Sequence, residues 1–161
     1  MQNAKDSFYM SLRTRLTAIN PGRTILLRGA VRPGILVEEA EAPFNQLPTD
    51  VFVLRWTAMG ADMDLPSTMV GAQCEIYYAT CGTQSFGGLD RGRALSQMDS
   101  EVLAMLQPLL TPKLNYMTTP ATPMMTQVFW DEPLFSPITT QRDRLSRSAA
   151  VMVYSYQEPG E

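Results

Sequence analysis

The 161-residue chain contains no histidine. Histidine is the usual general base in enzymes, the base of Ser-His-Asp and Cys-His arrangements, and a frequent zinc ligand. Its absence therefore excludes the commonest catalytic routes. Enzymes that work through carboxylates, alone or with a metal ion, do not need histidine and are not excluded. The sequence nevertheless offers no catalytic residue, cofactor site or metal site to assign.

Lysine and cysteine are also scarce. Lysine occurs only at Lys5 and Lys113, so the basic residues are mostly arginine, which suits bidentate contacts at protein interfaces better than lysine does. Cys74 and Cys81 lie in a run that reads as a strand, and their odd spacing places them on opposite faces, too far apart for a disulfide. Two reduced thiols indicate a reducing compartment.

Strong charge and long apolar runs are missing as well. The net charge of −3 gives no electrostatic reason to expect affinity for nucleic acid. No apolar run approaches the roughly 18–20 residues of a membrane-spanning helix, and the first residues do not resemble a signal peptide. We expect one globular domain, residues 1–161, made and kept in a cytoplasm without a membrane partner.

Hydrophobic periodicity predicts two amphipathic helices. The first spans residues 3–19 and is stopped by Asn20-Pro21-Gly22. Arg13 and Arg15 lie in its last turns, where they are expected to suit the negative end of this helix. Its apolar stripe consists of Phe8, Leu12, Leu16 and Ile19. The second helix is expected over residues 89–110, with an apolar stripe of Leu95, Met98, Val102, Met105 and Leu109.

Strand patterns surround the two helices. Strands are predicted at residues 24–27, 51–58, 70–81, 127–130 and 149–156. Residues 35–38 are expected to form a returning edge strand after a break at residues 29–34, and residues 42–50 to form a loop. The order predicts an α+β fold, a mainly antiparallel sheet with an N-terminal helix and a second central helix packed on one face.

Residues 109–141 form a long segment that prolines interrupt at short intervals: Pro112, Pro120, Pro123, Pro133 and Pro137. The segment is nevertheless rich in Met, Phe, Trp and Leu, whereas a flexible linker is polar. Compact domains seldom contain so long a connection without a functional reason. We therefore expect an apolar arm that leaves an otherwise complete domain. Such an arm suggests a segment that packs on another protein, for example a neighbouring subunit.

Two segments resemble ligand-binding loops but lack the residues that bind. Residues 82–88 lie between a strand and a helix, yet Gly88 and Leu89 stand where a phosphate loop has Lys and Ser/Thr. Arg91 and Arg93 after it read as solvated arginines that could help to hold an anion. Asp62-Met63-Asp64 matches half of a calcium loop, without the glycine and glutamate that complete it.

Three groups of side chains can be read as ordinary surface or as contact residues. Arg142, Arg144 and Arg147 form a basic cluster, and Arg142 and Arg144 share a face if the last strand starts early. The cluster is open to three interpretations: a solvated strand entry, an inter-subunit ion-pair site or a nucleic-acid contact. Several methionines are expected in connections, where they either pack loops or become ordered in an assembly: Met59, Met63, Met69, Met117, Met124 and Met125. The acidic residues expected to cover an edge strand are Glu38, Glu39 and Glu41.

The layout of the chain resembles the tail-terminator (tail-completion) proteins of tailed bacteriophages and contractile injection systems. Three segments carry the resemblance. They are the helix that ends in residues 12–16, the strand entry at residues 47–54 with its hairpin into residues 74–78, and the last strand, residues 147–156, after a long loop. The similarity covers most of the chain as a pattern rather than as a signature motif.

The resemblance implies a non-enzymatic structural protein of the virion tail and neck, assembled in the host cytoplasm. Members of this family form a homo-oligomeric six-fold ring on the end of the tail tube, stop tube polymerisation and bind the head-side neck or head-completion protein. DNA in the lumen would make only passing contact. Residues 114–138 are expected to lie in a subunit or tube contact, and their truncation is expected to leave the fold but abolish the ring. The residues expected at a subunit or tube interface are Met117, Met124, Met125, Phe129, Trp130, Leu134, Phe135, Arg142, Arg144 and Arg147.

Other interpretations remain open beside this one. A neck or head–tail connector protein would have a similar size and architecture but would bind the portal side. A small-ligand-binding α+β domain would use the face of Phe52, Leu54 and Trp56 to line a pocket. A carboxylate enzyme without histidine is the third alternative.

Overall fold

The computed structural model describes residues 1–41, 46–64, 66–159 and 161. The helices are α1 (Gln2–Ile19), α2 (Glu38–Glu41) and α3 (Arg91–Met105). The strands are β1 (Thr24–Leu27), β2 (Ala30–Pro33), β3 (Ile35–Val37), β4 (Phe52–Asp62), β5 (Met69–Thr80), β6 (Thr111–Asn115), β7 (Thr122–Trp130), β8 (Leu134–Phe135), β9 (Thr139–Gln141) and β10 (Arg144–Tyr156). A short 3-10 turn, Gln84–Phe86, precedes α3. Of the predicted loop at residues 42–50, residues 42–45 lie outside the described part of the chain.

Eight strands form one sheet. Its order is β3-β4-β5-β10-β7-β6, and β8 and β9 pair with β10. β3 runs parallel to β4, whereas the other neighbours are antiparallel. Because α1 and α3 share one buried cluster with a single face of the sheet, the predicted α+β fold is confirmed.

The core lies between the two long helices and that face of the sheet. Alternate residues of β10 are buried, as predicted for residues 149–156, because successive side chains of a strand point to opposite faces. The ring of Phe8 meets the rings of Trp56 and Trp130 edge-on, at centroid distances of 5.9 and 5.1 Å. A buried phenylalanine of this kind contributes about 3–5 kcal/mol relative to alanine, so α1 is held mainly by its apolar stripe.

Both helical stripes are shorter than predicted. Phe8, Leu12 and Leu16 are fully buried, but Ile19 is 42% exposed because residues 17–19 all extend past the core. The second helix begins at residue 91 and ends at residue 105, so Leu109 is no longer on its core face and is exposed. The remaining positions of both stripes are buried as predicted.

The end of α3 is fixed by side chains from elsewhere in the chain. Arg15 Nη1 donates hydrogen bonds to the carbonyls of Met105 and Gln107, at 2.6 and 2.7 Å. Trp130 Nε1 donates to the carbonyl of Leu106 at 2.9 Å. Since the last carbonyls of a helix have no partner within it, these bonds satisfy the end of α3. The expectation that Arg15 serves the end of its own helix is wrong.

The predicted break at residues 29–34 is instead a hairpin. Arg28 and Gly29 both have positive φ, 50° and 78°, as a tight two-residue turn requires. The turn sends β2 back along β1. The segment predicted as the returning strand, residues 35–38, forms β3 at residues 35–37 and pairs in parallel with β4, so that pairing was predicted wrongly.

The arm at residues 109–141 is part of the main sheet. β7 contains the predicted strand 127–130 and pairs with β10, and β6 pairs with β7. The prediction of an excursion from a complete domain is therefore wrong. Truncating residues 114–138 would remove Val128 and Trp130 from the core, so the expectation that such a truncation leaves the fold intact is wrong too.

Both cysteines are free, as predicted. Cys74 is fully buried on the core face of β5, and burial raises the pKa of its thiol. Cys81 follows the end of β5 and is half-buried. A buried neutral thiol behaves as a small apolar side chain, which is the role of Cys74 in the core.

Candidate assembly surfaces

The residues expected at an interface divide into open and internal positions. Met117 and Met125 are each 91% exposed, and Leu134 is 76% exposed. Arg142 is exposed and Met124 is half-buried. These five side chains are accessible to another protein, and their place in an interface stays a prediction.

Trp130 is not accessible, and the interface prediction is wrong for it. Its side chain is 5% exposed because it packs against Phe8 in the core, and its indole N–H donates a hydrogen bond to the Leu106 carbonyl at the end of α3. Phe129 points to the other face of the sheet, where it is half-buried and stacks on Tyr154 at a centroid distance of 5.5 Å. Of the two neighbouring residues Phe129 and Trp130, only Phe129 is accessible at the protein surface.

Arg147 has its carboxylate partner within the chain. Its Nη1 lies 2.7 Å from Asp99 Oδ2, and its guanidinium stands over the half-buried ring of Phe135, 6.0 Å from the centroid. Asp99 also accepts a hydrogen bond of 2.5 Å from the Tyr78 hydroxyl. Burial and this carboxylate raise the pKa of Tyr78. Arg147 therefore belongs to an internal network that joins β5, α3 and β10.

Arg142 and Arg144 lie at a polar end of the sheet. β10 begins at Arg144, and Arg142 occupies the turn before it with φ 56°, so the two do not share a strand face. Arg144 Nη1 donates to the Leu47 carbonyl at 3.1 Å. Both arginines line a cleft of about 490 Å³, which makes this end of the molecule polar and hydrated.

The glycine-rich segment 82–88 borders a second cleft at the same end. This cleft measures about 650 Å³ and is lined by Arg91 and Arg142 among others. Asp90 accepts hydrogen bonds from the backbone N–H and the hydroxyl of Thr83, at 2.9 and 2.8 Å, and these bonds lower the pKa of Asp90. The carboxylate thus takes the N–H that a phosphate loop would offer to its ligand.

The opposite end of the sheet carries a projecting hairpin. β3 pairs only with residues 52–54 of β4, and no other described strand pairs with the outer edge of residues 57–62. All six of these residues are exposed. A bulge between Trp56 and Ala58 marks where β4 leaves the core. The outer part of β4 is therefore an open sheet edge.

This hairpin presents methionines. Met59 is 68% exposed and Met63 is 79% exposed. Residues 57–64 and 66–69, with the start of β5, are called the methionine hairpin below. The prediction that the methionines lie in connections is confirmed for Met63 and Met117 but wrong for Met59, Met69, Met124 and Met125, which lie in strands.

The β3 side of the sheet is covered by acidic side chains, as predicted for Glu38 and Glu41. Glu41 accepts a hydrogen bond of 2.9 Å from the Val37 N–H and forms an ion pair with Arg32. Glu38 forms an ion pair with Arg55 on β4. Glu39 is exposed. These bonds protect the short edge strand β3 but do not reach the outer part of β4.

The other edge of the sheet, β6, is closed by α1. The N–H of Leu114 donates to the Ser7 hydroxyl at 2.9 Å, and the N–H of Tyr116 donates to Asn3 Oδ1 at 3.4 Å. Between helix and strand runs a mainly apolar groove of about 560 Å³. It is lined by Ser7, Met10, Ser11, Thr14, Arg15, Thr111, Pro112, Leu114 and Tyr116, and it is called the α1–β6 groove below.

A ligand pocket on the face of Phe52, Leu54 and Trp56 is not formed. Phe52 and Leu54 are fully buried in the core, and Phe52 packs edge-on against Tyr78 at 5.5 Å between centroids. Trp56 is half-buried with the Lys5 ammonium over its ring, beside a cleft of only about 150 Å³. The alternative interpretation as a small-ligand-binding domain placed a pocket on this face, and it is wrong for these residues because Phe52 and Leu54 belong to the core shared with α1 and α3.

In the described part of the chain, no three His, Cys, Asp or Glu side chains group as a metal-ion site would require. Among the same residues no helix is long and apolar enough to cross a membrane. A scan of protein-family models and a search of curated proteins both find no match for the chain.

Proposed function

We propose that this chain is a structural protein of a phage tail or contractile injection system, which assembles into a ring that caps the tail tube and joins it to the neck. The observation that carries the proposal is the open edge of β4 with its exposed methionines. An open edge with apolar side chains is an aggregation hazard unless another protein covers it. A ring covers every such edge with the next subunit.

The energetics favour a covered hairpin. Full burial of a methionine contributes roughly 1.5–3 kcal/mol, and two of them project from residues 57–64. Methionine adapts its shape to irregular contacts better than branched side chains do. The hairpin is therefore stabilised when a partner packs on it, and an isolated subunit lacks this stabilisation.

The two ends of the sheet differ in chemistry, which suits a ring between two different partners. Met69 pairs with both Asp62 and Tyr156, so the methionine hairpin and the end of β10 lie at one end. The exposed Met125 lies beyond that level on β7. The arginine-lined clefts lie at the other end. In a ring of aligned subunits, the rim that carries Met125 would face the tube, and the rim with the arginine-lined clefts would face the neck side.

The proposal is tested first by the mass of the purified protein. Light scattering after size exclusion and negative-stain images should show a closed ring, with six subunits as the family resemblance implies. A monomer at micromolar concentration would overturn the proposal.

A second measurement separates a terminator from a connector. The tail-tube protein of the same genome is polymerised with and without an excess of this chain. A terminator stops growth, so the tubes become shorter and carry a ring at one end. Tubes of unchanged length without end rings would contradict the terminator function and favour a connector.

A further inference from the structure

The sheet carries its two assembly features on opposite flanks. The methionine hairpin is built on β4, next to the β3 edge, and the α1–β6 groove lies at the β6 edge, with β5, β10 and β7 between them. A ring needs such a heterologous pair of surfaces, because each subunit uses one patch towards one neighbour and a different patch towards the other. We propose that the methionine hairpin of one copy docks into the α1–β6 groove of the next copy. This inference rests on the proposed ring and names its contact.

Backbone pairing between neighbours is blocked on the groove side. The N–H group of Leu114 in β6 and that of Tyr116, just after β6, already donate to Ser7 and Asn3 of α1. A strand added to this edge would have to break those bonds. The groove is therefore shaped to receive side chains, and the hairpin supplies flexible apolar ones.

The groove matches the hairpin in size and polarity. Its volume of about 560 Å³ lies within the roughly 300–1,000 Å³ that proteins use to bury compact ligands. Its walls include Met10, Pro112 and Leu114, which are apolar. Met59 and Met63 are exposed on the hairpin, so docking removes apolar surface from water on both sides of the contact.

Charge complementarity fixes the orientation. Residues 57–68 contain Asp62 and Asp64 and no basic residue. Arg15 lines the groove, and Arg13 lines the adjoining cleft on α1 together with Met10 and Thr14. Arg15 is partly engaged by the carbonyls at the end of α3, whereas Arg13 has no carboxylate within ion-pair distance among the described residues. An acidic hairpin tip beside these arginines gives a favourable pair and disfavours the reversed arrangement.

The experiment replaces one side chain on each surface. Met63→Glu and Met10→Glu should each raise the concentration needed for ring assembly tenfold or more. This is the change expected when a contact loses the burial of one methionine side chain. Leu103→Glu is the matched control, because Leu103 is also an exposed apolar side chain but lies on α3, outside both the hairpin and the groove. It should leave the ring intact. Circular dichroism and thermal melting of each variant check that the fold is retained.

A charge reversal and a cross-link test the pairing itself. Arg13→Glu should weaken assembly, and Asp64→Arg added to the same chain should restore it, because each Glu at position 13 then faces an Arg at position 64. In a Cys81→Ser background, Met10→Cys with Met63→Cys should give a ladder of covalent multimers on oxidation. Each cysteine alone should give none.

The outcomes separate this contact from the function it serves. A wild-type ring that tolerates Met63→Glu and Met10→Glu and gives no cross-linked ladder would overturn the docking while leaving the proposed function in place. A wild-type chain that stays monomeric would overturn both. Loss of the ring in the two groove and hairpin variants, restoration by charge reversal and a cross-linked ladder together support the docking.

Discussion

The ammonium of Lys113 donates a hydrogen bond to Glu161 Oε2 at 2.6 Å, and the Lys113 side chain is only 1% exposed. The same nitrogen donates to the Tyr156 carbonyl at 2.8 Å. Glu158 lies 3.6 Å away. A cation on β6 thus holds the segment that follows β10.

Replacing Lys113 should destabilise the protein strongly. Lys113→Met leaves buried carboxylates without their cation, and breaking a buried pair from one side costs about 3–5 kcal/mol. Urea titration of the monomeric protein measures the change in unfolding free energy. Lys5→Met is the matched control, because Lys5 forms no ion pair with any residue that the structure describes and its ammonium lies over the Trp56 ring. Such a cation–π contact is worth about 0.5–1 kcal/mol. Equal effects of the two substitutions would contradict the prediction.

The same segment predicts an acid-sensitive stability. Burial alone would raise the pKa of Glu158, but hydrogen bonds from the Thr126 hydroxyl and from the N–H groups of Met125 and Thr126 outweigh it and lower the pKa to about 2. A carboxyl whose pKa is lowered by folding contributes stability above its unfolded pKa, near 4.5, and loses it as the pH falls towards the folded value.

We therefore expect the unfolding free energy to decline between about pH 4.5 and pH 2. Glu158→Gln should flatten this decline, as measured by urea titrations at pH 6, 4 and 3. Glu132→Gln is a control with the same chemical change at an exposed position, and it should leave the decline as it is. A wild-type stability that does not change over this range would refute the assignment.

The helices and strands with a local hydrophobic pattern could be predicted from the sequence alone. The run rich in Tyr, Ile and Cys at residues 70–81 predicted β5, the alternation in residues 149–156 predicted most of β10, and the helical stripes predicted α1 and α3. The alternation and the stripes depend on a period that a single buried face imposes on its own residues. The α+β class followed from their order.

The arm could not be predicted because its structure depends on distant partners. Pro112 and Pro123 mark a loop by local rules, yet both lie in the outer pair β6–β7, where prolines are tolerated near a sheet edge. The strand character of residues 122–126 comes from the ladder with β6, and that of residues 128–130 from β10. The groove could not be predicted for the same reason, because it forms where α1 packs beside β6, and these two elements lie far apart in the sequence.

Arg15→Met should loosen the end of α3. The guanidinium donates to two carbonyls and stands 5.2 Å from the centroid of the Trp130 ring. Hydrogen bonds to a charged group contribute about 1.5–3 kcal/mol, so we expect a loss in that range and faster amide exchange in the last turn of α3. Arg13, on the same helix, donates no side-chain hydrogen bond to any residue that the structure describes. Arg13→Met should therefore change stability by less than about 0.5 kcal/mol. Unchanged exchange in the last turn would show that the helix end does not depend on Arg15.

The two glycines Gly82 and Gly87 allow a matched test of the loop before α3. Both have positive φ, 75° and 60°, so alanine at either position carries the strain of the left-handed region, roughly 1–2 kcal/mol. They differ in the space around a new Cβ. At Gly87 nothing lies within 4 Å, whereas at Gly82 the Cβ would lie 2.6 Å from Asp90 Oδ1 and 3.0 Å from Arg91 Cγ.

Gly82→Ala must therefore displace the Asp90 carboxylate from Thr83 as well as adopt a strained backbone, because that carboxylate accepts both hydrogen bonds from Thr83. We expect Gly82→Ala to lower the unfolding free energy clearly more than Gly87→Ala, and to make the Thr83 amide exchange faster. Thermal melting and hydrogen exchange of the two variants measure this. Equal costs would mean that Asp90 moves aside freely and that the loop is held by its backbone turn alone.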